Sequence, residues 1–188
     1  MALLNPPSPL IPSATLMKFG DRITSSYGAP ILDAPTGFGR NALAFAALGY
    51  DVVAVDNDVD RLKSVERSAD DICLSARRSN ACGRVISVCA DLACGRLPFA
   101  DSSFSAVLCI HYAGQRIVSD LDAALQNGGH IYIETFGGQG QNYLELPKAG
   151  EIRDALKGFE LVFYNERSVG PSSYHAVAVT ALGQKRRI

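Results

Sequence analysis

The sequence predicts an α/β protein with a doubly wound, mostly parallel sheet and an antiparallel strand near one edge. Two observations lead to this class. Up to about residue 134, five short apolar runs alternate with segments of helical periodicity, which is the pattern of parallel strands joined by helices. After them, two apolar runs joined through Gly170-Pro171 have no helix between them, and this favours an antiparallel strand pair.

The elements follow in order from caps, periodicity and breakers. Ser13 is the expected N-cap of a first helix over 14 to about 25, and Asp58 is that of a long helix ending at about 79. The remaining predicted helices cover 40–48, 117–125 and 151–157. The predicted strands cover 31–32, 52–55, 84–89, 106–110, 130–134, 159–164 and 174–181.

The turn after the first strand has the features of a nucleotide-binding unit. Gly37 and Gly39 allow the backbone to approach a ligand closely, and the next helix directs orphan amide hydrogens and its positive dipole end at that place. Asp33 ends the strand before the turn, and Asp56 ends the next strand. An anionic ligand group, such as a carboxylate or a phosphate, is therefore expected at the turn.

Two cofactor classes use this geometry. The run Gly37-Phe38-Gly39-Arg40-Asn41-Ala42 fits the G-x-G-x-x-G/A dinucleotide fingerprint, with Asp56 about 20 residues on as the ribose acceptor. In that fingerprint the first glycine follows the strand directly, whereas Asp33-Ala34-Pro35-Thr36 intervenes here. The longer spacer argues against a dinucleotide.

The acidic strand end followed by a longer glycine turn resembles motif I of the class I S-adenosylmethionine (SAM) methyltransferases, acid-x-Gly-x-Gly-x-Gly. Asp33, Gly37 and Gly39 occupy its acid and last two glycines, and Pro35 stands at the first glycine. Proline fixes φ and removes an amide hydrogen, so this departure is expected either to reshape the loop or to weaken cofactor binding. The resemblance implies a Rossmann-like fold over about residues 14 to 182, with SAM as methyl donor and S-adenosylhomocysteine as product.

The resemblance also implies the residues of the SAM site. Asp91 and Leu92 match the family positions that meet the adenine, although Asp91 is equally explained as a turn residue. The run Leu97-Pro98-Phe99 resembles the family's approach to the fourth strand. The implied cofactor contacts are Asp33, Ala34, Gly37, Gly39, Asn41, Asp56, Asn57, Asp91, Leu92 and Ile110.

The residues that follow the fourth and fifth strands are candidates for catalysis and acceptor binding. His111 and Tyr112 reach the carboxyl edge of the sheet, where a histidine can act as a general base or serve as a structural residue. The glycine-rich segment 136–143 leaves the same edge, either as an acceptor-binding loop or as a surface connection. Its candidate acceptor contacts are Gln139, Gln141, Asn142 and Tyr143.

Composition favours one domain. The chain has 188 residues, of which 47% are hydrophobic and 20% charged, and we expect a proline-rich arm over 1–13 before a single domain over 14–188. The formal net charge of -1 gives no global field to recruit nucleic acid, and no apolar run reaches the ~20 residues of a membrane helix. The five cysteines lack zinc-ligand spacing, so no metal site is expected, and the thiols are expected to be reduced and cytoplasmic.

The sequence therefore predicts a SAM-dependent methyltransferase that acts on a small-molecule acceptor. The order of motifs, the short chain and the run Tyr164-Asn165-Glu166 resemble the tellurite-resistance and thiopurine-type methyltransferases. An NAD(P)-dependent oxidoreductase remains an alternative. So does a non-catalytic SAM-binding or partner-binding module, because Pro35 breaks the motif. The sequence predicts neither the acceptor nor the oligomeric state.

Overall fold

The computed structural model describes residues 10–25, 28–76, 82–135 and 143–187. Seven strands form one sheet in the order β3-β2-β1-β4-β5-β7-β6. They are β1 (Ile31–Asp33), β2 (Val52–Asp56), β3 (Val85–Cys89), β4 (Phe104–Ile110), β5 (Leu125–Glu134), β6 (Phe159–Ser168) and β7 (Val177–Lys185). β1 to β5 pair in parallel, whereas β7 is antiparallel to both β5 and β6. The predicted fold class is confirmed.

The helices are α1 (Ala14–Lys18), α2 (Gly20–Ile23), α3 (Arg40–Ala47), α4 (Val59–Ala76), α5 (Val118–Ala124) and α6 (Glu151–Ala155). Both predicted caps are present. The Leu16 amide donates to the Ser13 hydroxyl at 3.2 Å, and the Asp58 carboxylate accepts from the amides of residues 60 and 61.

The single helix predicted over 14 to 25 is divided at Phe19, and that prediction is corrected. The backbone of Phe19 leaves the helical region, with φ −103° and ψ 8°, and its amide turns back to the Leu16 carbonyl. Its ring lies 5.1 Å from Phe163 and 6.4 Å from Tyr132. Packing of this aromatic ring on the sheet therefore accompanies the break, and Gly20 restarts the helix.

Apolar layers cover both faces of the sheet. Every residue of β1, β2 and β4 is buried, as expected for strands with helices on either side. One layer joins α1 to α4 and includes Leu16, Ile23 and Phe45, and the other joins α5 and α6 and includes Leu121 and Ile152. The centre of the sheet is thus packed on both faces, and the residues that follow its strands extend from this core.

The strand register brings several acidic residues to one edge. Asp33 ends β1, Asp56 ends β2 opposite Cys89, and Glu134 ends β5 opposite Ile110. Neighbouring strands lie about 4.8 Å apart, so the ends of β2 and β4 are about 10 Å apart across β1. A ligand that bridges these ends would lie over β1 and the glycine turn.

The cysteines differ in part from the expectation of reduced thiols. Cys73 of α4 and Cys82 form a disulfide, with Cα atoms 5.6 Å apart, so that expectation is corrected for this pair. The end of α4 and the residue Cys82 before β3 lie close together in the fold, and the spacing of cysteines along the chain does not show this proximity. Cys109 is a free thiol buried in the core, and burial raises the pKa of its thiol to about 12.

Candidate functional site

A cavity of about 480 Å³ opens at the carboxyl edge of the sheet. The glycine loop, residues 35–38, forms one wall, and Arg40 and Asn41 at the start of α3 continue it. Asp56 lies on the β2 side, and Ile110 and His111 lie on the β4 side. The cavity therefore occupies the place where open α/β sheets bind their ligands.

Asp33 supports the glycine loop from below. It is fully buried and accepts hydrogen bonds from the Thr36 hydroxyl at 2.8 Å and from the Ala42 amide at 3.2 Å. Burial raises the pKa of Asp33 to about 7, and the two hydrogen bonds oppose this shift. Asp33 thus joins the loop to the start of α3. The loop lines the cavity, and Asp33 itself does not.

Asp56 fixes the other side of the same loop. It is 2% exposed, and its Oδ2 accepts from the Gly37 amide at 2.9 Å while Oδ1 accepts from the Asp58 amide at 3.0 Å. A carboxylate has about four lone-pair positions, so Asp56 keeps capacity for two hydroxyl donors. This geometry suits a ribose diol.

Two arginines give the cavity positive charge at different sides. Arg61 lies on the β2 side, with Nε 3.3 Å from Asp58 Oδ2 and its guanidinium 5.7 Å from the Phe38 ring centroid. Arg40 forms no hydrogen bond or ion pair with the described residues. Burial lowers the pKa of His111 and the charge of Arg40 lowers it further, so this charge acts on the β4 side of the cavity. Arg40 is therefore available to an anionic ligand group.

A polar cluster joins the ends of β4 and β5. His111 has a left-handed backbone, with φ 57°, and its Nε2 lies 3.8 Å from Glu134 Oε1. The other carboxylate oxygen accepts from the Tyr132 and Ser13 hydroxyls, each at 2.6 Å. The Ser13 amide in turn donates to Asn41 Oδ1 at 3.0 Å. The residues just before α1 are therefore attached to both α3 and β5.

Some of the sequence-predicted cofactor residues line the cavity and others do not. Those on the cavity wall are Gly37, Asn41, Asp56, Ile110 and the candidate base His111. Those away from the wall are Asp33, Ala34, Gly39, Asn57, Asp91, Leu92 and the candidate catalytic residue Tyr112.

Three of the residues away from the wall have other contacts. Asp91 caps a short turn, because its Oδ1 accepts from the Ala93 amide at 2.9 Å. This contact agrees with the interpretation of Asp91 as a turn residue. Gly39 begins α3 with φ 79°. Tyr112 packs partly buried against the core, and burial raises the pKa of its hydroxyl. Their roles toward a cofactor or acceptor stay predictions.

The predicted acceptor loop lies mostly outside the described residues. Gln139, Gln141 and Asn142 are among the residues that the structure does not describe. Tyr143 is described, and its ring lies 5.6 Å from the Tyr174 ring. This contact joins the end of the loop to the segment before β7.

Several residues of the site were not predicted, and each had a signal in the sequence. Arg40 is a cation at the first position of the helix that follows the glycine loop. Glu134 ends a strand at the same edge of the sheet as His111. Its position at the carboxyl edge therefore makes it a candidate site residue, as it does for the histidine. Phe38 and Arg61 had weaker signals, since their contact depends on how α4 packs beside the loop.

Neither a metal site nor a membrane-spanning helix is present among the described residues. In 10–25, 28–76, 82–135 and 143–187, no group of three or more His, Cys, Asp or Glu side chains is placed to hold a metal ion. None of the helices in these ranges is both long and apolar enough to cross a membrane.

Solved structures of low sequence identity share this fold. A SAM-dependent methyltransferase from Methanosarcina mazei aligns with a TM-score of 0.61 and 17% identity, over 89% of this chain and 98% of the other. TehB from Haemophilus influenzae aligns with a TM-score of 0.62 and 16% identity, over 90% and 62%. A geranyl diphosphate methyltransferase in complex with GPP and sinefungin gives a TM-score of 0.67 and 14% identity, over 92% and 77%.

The sheet order, the glycine loop and the carboxylate at the end of β2 define a class I SAM-dependent methyltransferase. A family model described as a methyltransferase domain matches residues 31–129, which is more than half of the chain. The chain belongs to this methyltransferase family, and its cofactor is SAM. No curated protein matched the chain.

Proposed function

We propose that this protein is an enzyme that transfers a methyl group from SAM to a nucleophilic atom of a small-molecule acceptor. The observation that carries this proposal is the cavity over β1, with Asp56 on its β2 side and the glycine loop as its wall. The family membership of residues 31–129 supports the same reaction class.

The residues of the cavity fit SAM. The volume of about 480 Å³ is within the range of small-molecule sites and suits one cofactor molecule. Asp56 would accept the two ribose hydroxyls, and Arg40 with the loop amides would receive the carboxylate of the methionine part. When bound, SAM supplies a methyl group on a positively charged sulfur, which is ready for attack by a nucleophile.

The chain's own contribution is mainly to position the reactants. Methyl transfer needs the nucleophile held ~3 to 3.5 Å from the methyl carbon, and such orientation supplies a large part of catalysis. His111 and Ile110 stand on the β4 side of the cavity, so the acceptor would approach from there. The proposed acceptor contacts are Gln139, Gln141, Asn142 and Tyr143, and Tyr112 is a further proposed catalytic residue.

A small acceptor is favoured by the charge balance of the chain, and residues 14–188 are proposed to form one domain after an arm over 1–13. The net charge of -1 supplies no field for nucleic acid. A cytoplasmic location and the resemblance to tellurite-resistance and thiopurine-type enzymes remain part of the proposal.

The experiment is an acceptor screen with methyl-labelled SAM. The purified protein is incubated with panels of thiols, phenols, alcohols, amines and chalcogen oxyanions, and the label is followed into products. The matched control is Asp56→Ala. We expect transfer to at least one small acceptor, lost in the control. Transfer only to RNA or protein would contradict the small-molecule proposal, and SAM binding with transfer to no class would favour a non-catalytic module.

A further inference from the structure

The carboxylate of Glu134 is held in one orientation beside the cavity. Its Oε2 accepts two hydrogen bonds of 2.6 Å, one from Tyr132 on its own strand and one from Ser13 at the start of α1. Its Oε1 is thereby turned toward His111, whose Nε2 lies 3.8 Å away. Three parts of the chain thus converge on one carboxylate, and the imidazole next to it lines the cavity.

We propose that Glu134 is a positioning residue for His111, which acts as the general base, and that the acceptor is a hydroxyl compound. This inference rests on the proposed function and deepens it. A hydroxyl group keeps its proton at neutral pH, so it needs a base at the site, whereas a thiol ionises far more readily. A carboxylate that faces an imidazole makes the imidazole a stronger base, which favours an acceptor that must lose a proton.

Charges from two neighbouring elements act on His111. Arg40 at the start of α3 lowers its pKa, and Glu134 from β5 raises it. Desolvation is the largest influence, and the pKa of His111 lies below its ordinary value, so the ring is neutral at pH 7. The Tyr132 hydroxyl keeps its proton, because burial raises its pKa, and it therefore continues to donate to Glu134.

The proton and electron balance of the step is complete. The acceptor hydroxyl gives its proton to the His111 imidazole while its oxygen lone pair bonds to the methyl carbon, and the sulfur keeps the electron pair of the broken bond. The imidazolium that forms is stabilised by the Glu134 carboxylate and then releases its proton to water. Glu134 thus contributes after the proton moves, and it need not touch the acceptor.

The chain contains a matched control for this carboxylate. Glu166 on β6 also accepts a 2.6 Å hydrogen bond from the tyrosine two residues before it, Tyr164, and a second one from the Gly150 amide. It lies two strands away from β5, with β7 between them. Glu166→Gln therefore removes the same kind of Tyr-Glu charge without altering the surroundings of His111.

The test compares Glu134→Gln, Glu134→Asp and Glu166→Gln in the complex with S-adenosylhomocysteine. The first readout is the His111 pKa by NMR titration, with the resonance assigned by its loss in His111→Asn. We expect Glu134→Gln to lower this pKa by about one unit, because a facing carboxylate is lost. Glu134→Asp should restore part of the shift, and Glu166→Gln should leave it unchanged. An unchanged pKa in folded Glu134→Gln, or an equal shift in Glu166→Gln, overturns the positioning role.

The second readout is kcat and KM with labelled SAM and the phenol, alcohol and thiol probes of the screen. Glu134→Gln should reduce kcat for hydroxyl acceptors about tenfold or more, move the acid limb of the pH profile to lower pH, and leave the KM for SAM within about twofold. Transfer to thiols alone overturns the hydroxyl assignment. Absence of all transfer overturns the proposed function, and the NMR titration still decides whether Glu134 positions His111.

Discussion

Asp56 and Asp58 are two carboxylates whose roles separate by mutation. Asp56 ends β2, is 2% exposed and lines the cavity. Asp58 lies two residues later, where its Oδ1 accepts from the amides of residues 60 and 61 at 3.0 and 3.1 Å and caps α4. We expect Asp56→Ala to weaken SAM binding and Asp58→Ala to weaken the fold.

The magnitudes follow from the hydrogen bonds. Asp56→Ala removes up to two hydrogen bonds from ribose hydroxyls to a charged acceptor, at ~1.5 to 3 kcal/mol each, which predicts roughly 10- to 10⁴-fold weaker binding. The change also leaves the Gly37 amide without its acceptor, so some stability is lost with it. Asp58→Ala removes the cap, at ~0.5 to 2 kcal/mol of unfolding free energy, together with the partly exposed ion pair to Arg61, and we expect little change in affinity.

The assay is calorimetric titration of SAM and S-adenosylhomocysteine into both variants, with urea unfolding as the check on stability. Asp56→Asn is a useful companion, because its amide oxygen can still accept from the Gly37 amide while the charge is gone. If Asp56→Ala remains folded and binds SAM like the parent, the assignment of Asp56 to the ribose is refuted. Equal losses of affinity in the two alanine variants would also contradict the separation.

Three further predictions concern the loop and the start of α3. Asp33→Asn should flatten the pH dependence of stability. The pKa of Asp33 is about 7 in the folded protein against about 3.8 for an exposed aspartate, so the parent loses on the order of 4 kcal/mol of unfolding free energy between about pH 4 and 7. Urea unfolding at pH 4 and pH 8 measures this, and parallel curves for the two proteins would contradict it. Arg40→Gln should weaken the binding of S-adenosylhomocysteine about 10- to 150-fold in calorimetry. It should leave the binding of methylthioadenosine, which lacks the carboxylate, unchanged. Equal effects on both ligands would contradict the assignment of Arg40 to the carboxylate. Gly39→Ala should lower the unfolding free energy by at least ~1 to 2 kcal/mol, because φ is 79° and a Cβ would lie 2.8 Å from Val65. Gly37→Ala, at φ 58° with open space around it, is the milder control. A larger loss of unfolding free energy in Gly37→Ala than in Gly39→Ala would contradict this prediction.

The positions of the strands and helices were accessible from the sequence because local signals determine them. β1, β2 and β4 are fully buried apolar runs, and the caps at Ser13 and Asp58 are hydrogen bonds within one helical turn. Such signals act over a few residues. The break at Phe19 was missed because the ring contact that accompanies it is made with Phe163, which is distant in sequence.

Residues of the candidate site were predictable from the sequence where each follows or ends a single strand. Asp56 and His111 are of this kind, and both line the cavity. The network that fixes Glu134 was not, because it depends on Ser13, which lies 121 residues away in sequence. The Cys73–Cys82 disulfide spans only nine residues of sequence, and it was missed because this spacing alone does not show that the end of α4 and the start of the approach to β3 lie together.

The most direct test of the account is ligand stabilisation of the folded protein. SAM or S-adenosylhomocysteine at 100 times its dissociation constant should add ~2.7 kcal/mol to the unfolding free energy. For a domain of this size, that raises Tm by about 5 to 10 °C. NAD and NADP at the same concentrations should leave Tm unchanged. Stabilisation by a dinucleotide and not by SAM would contradict the central claim that the cavity over β1 is a SAM site.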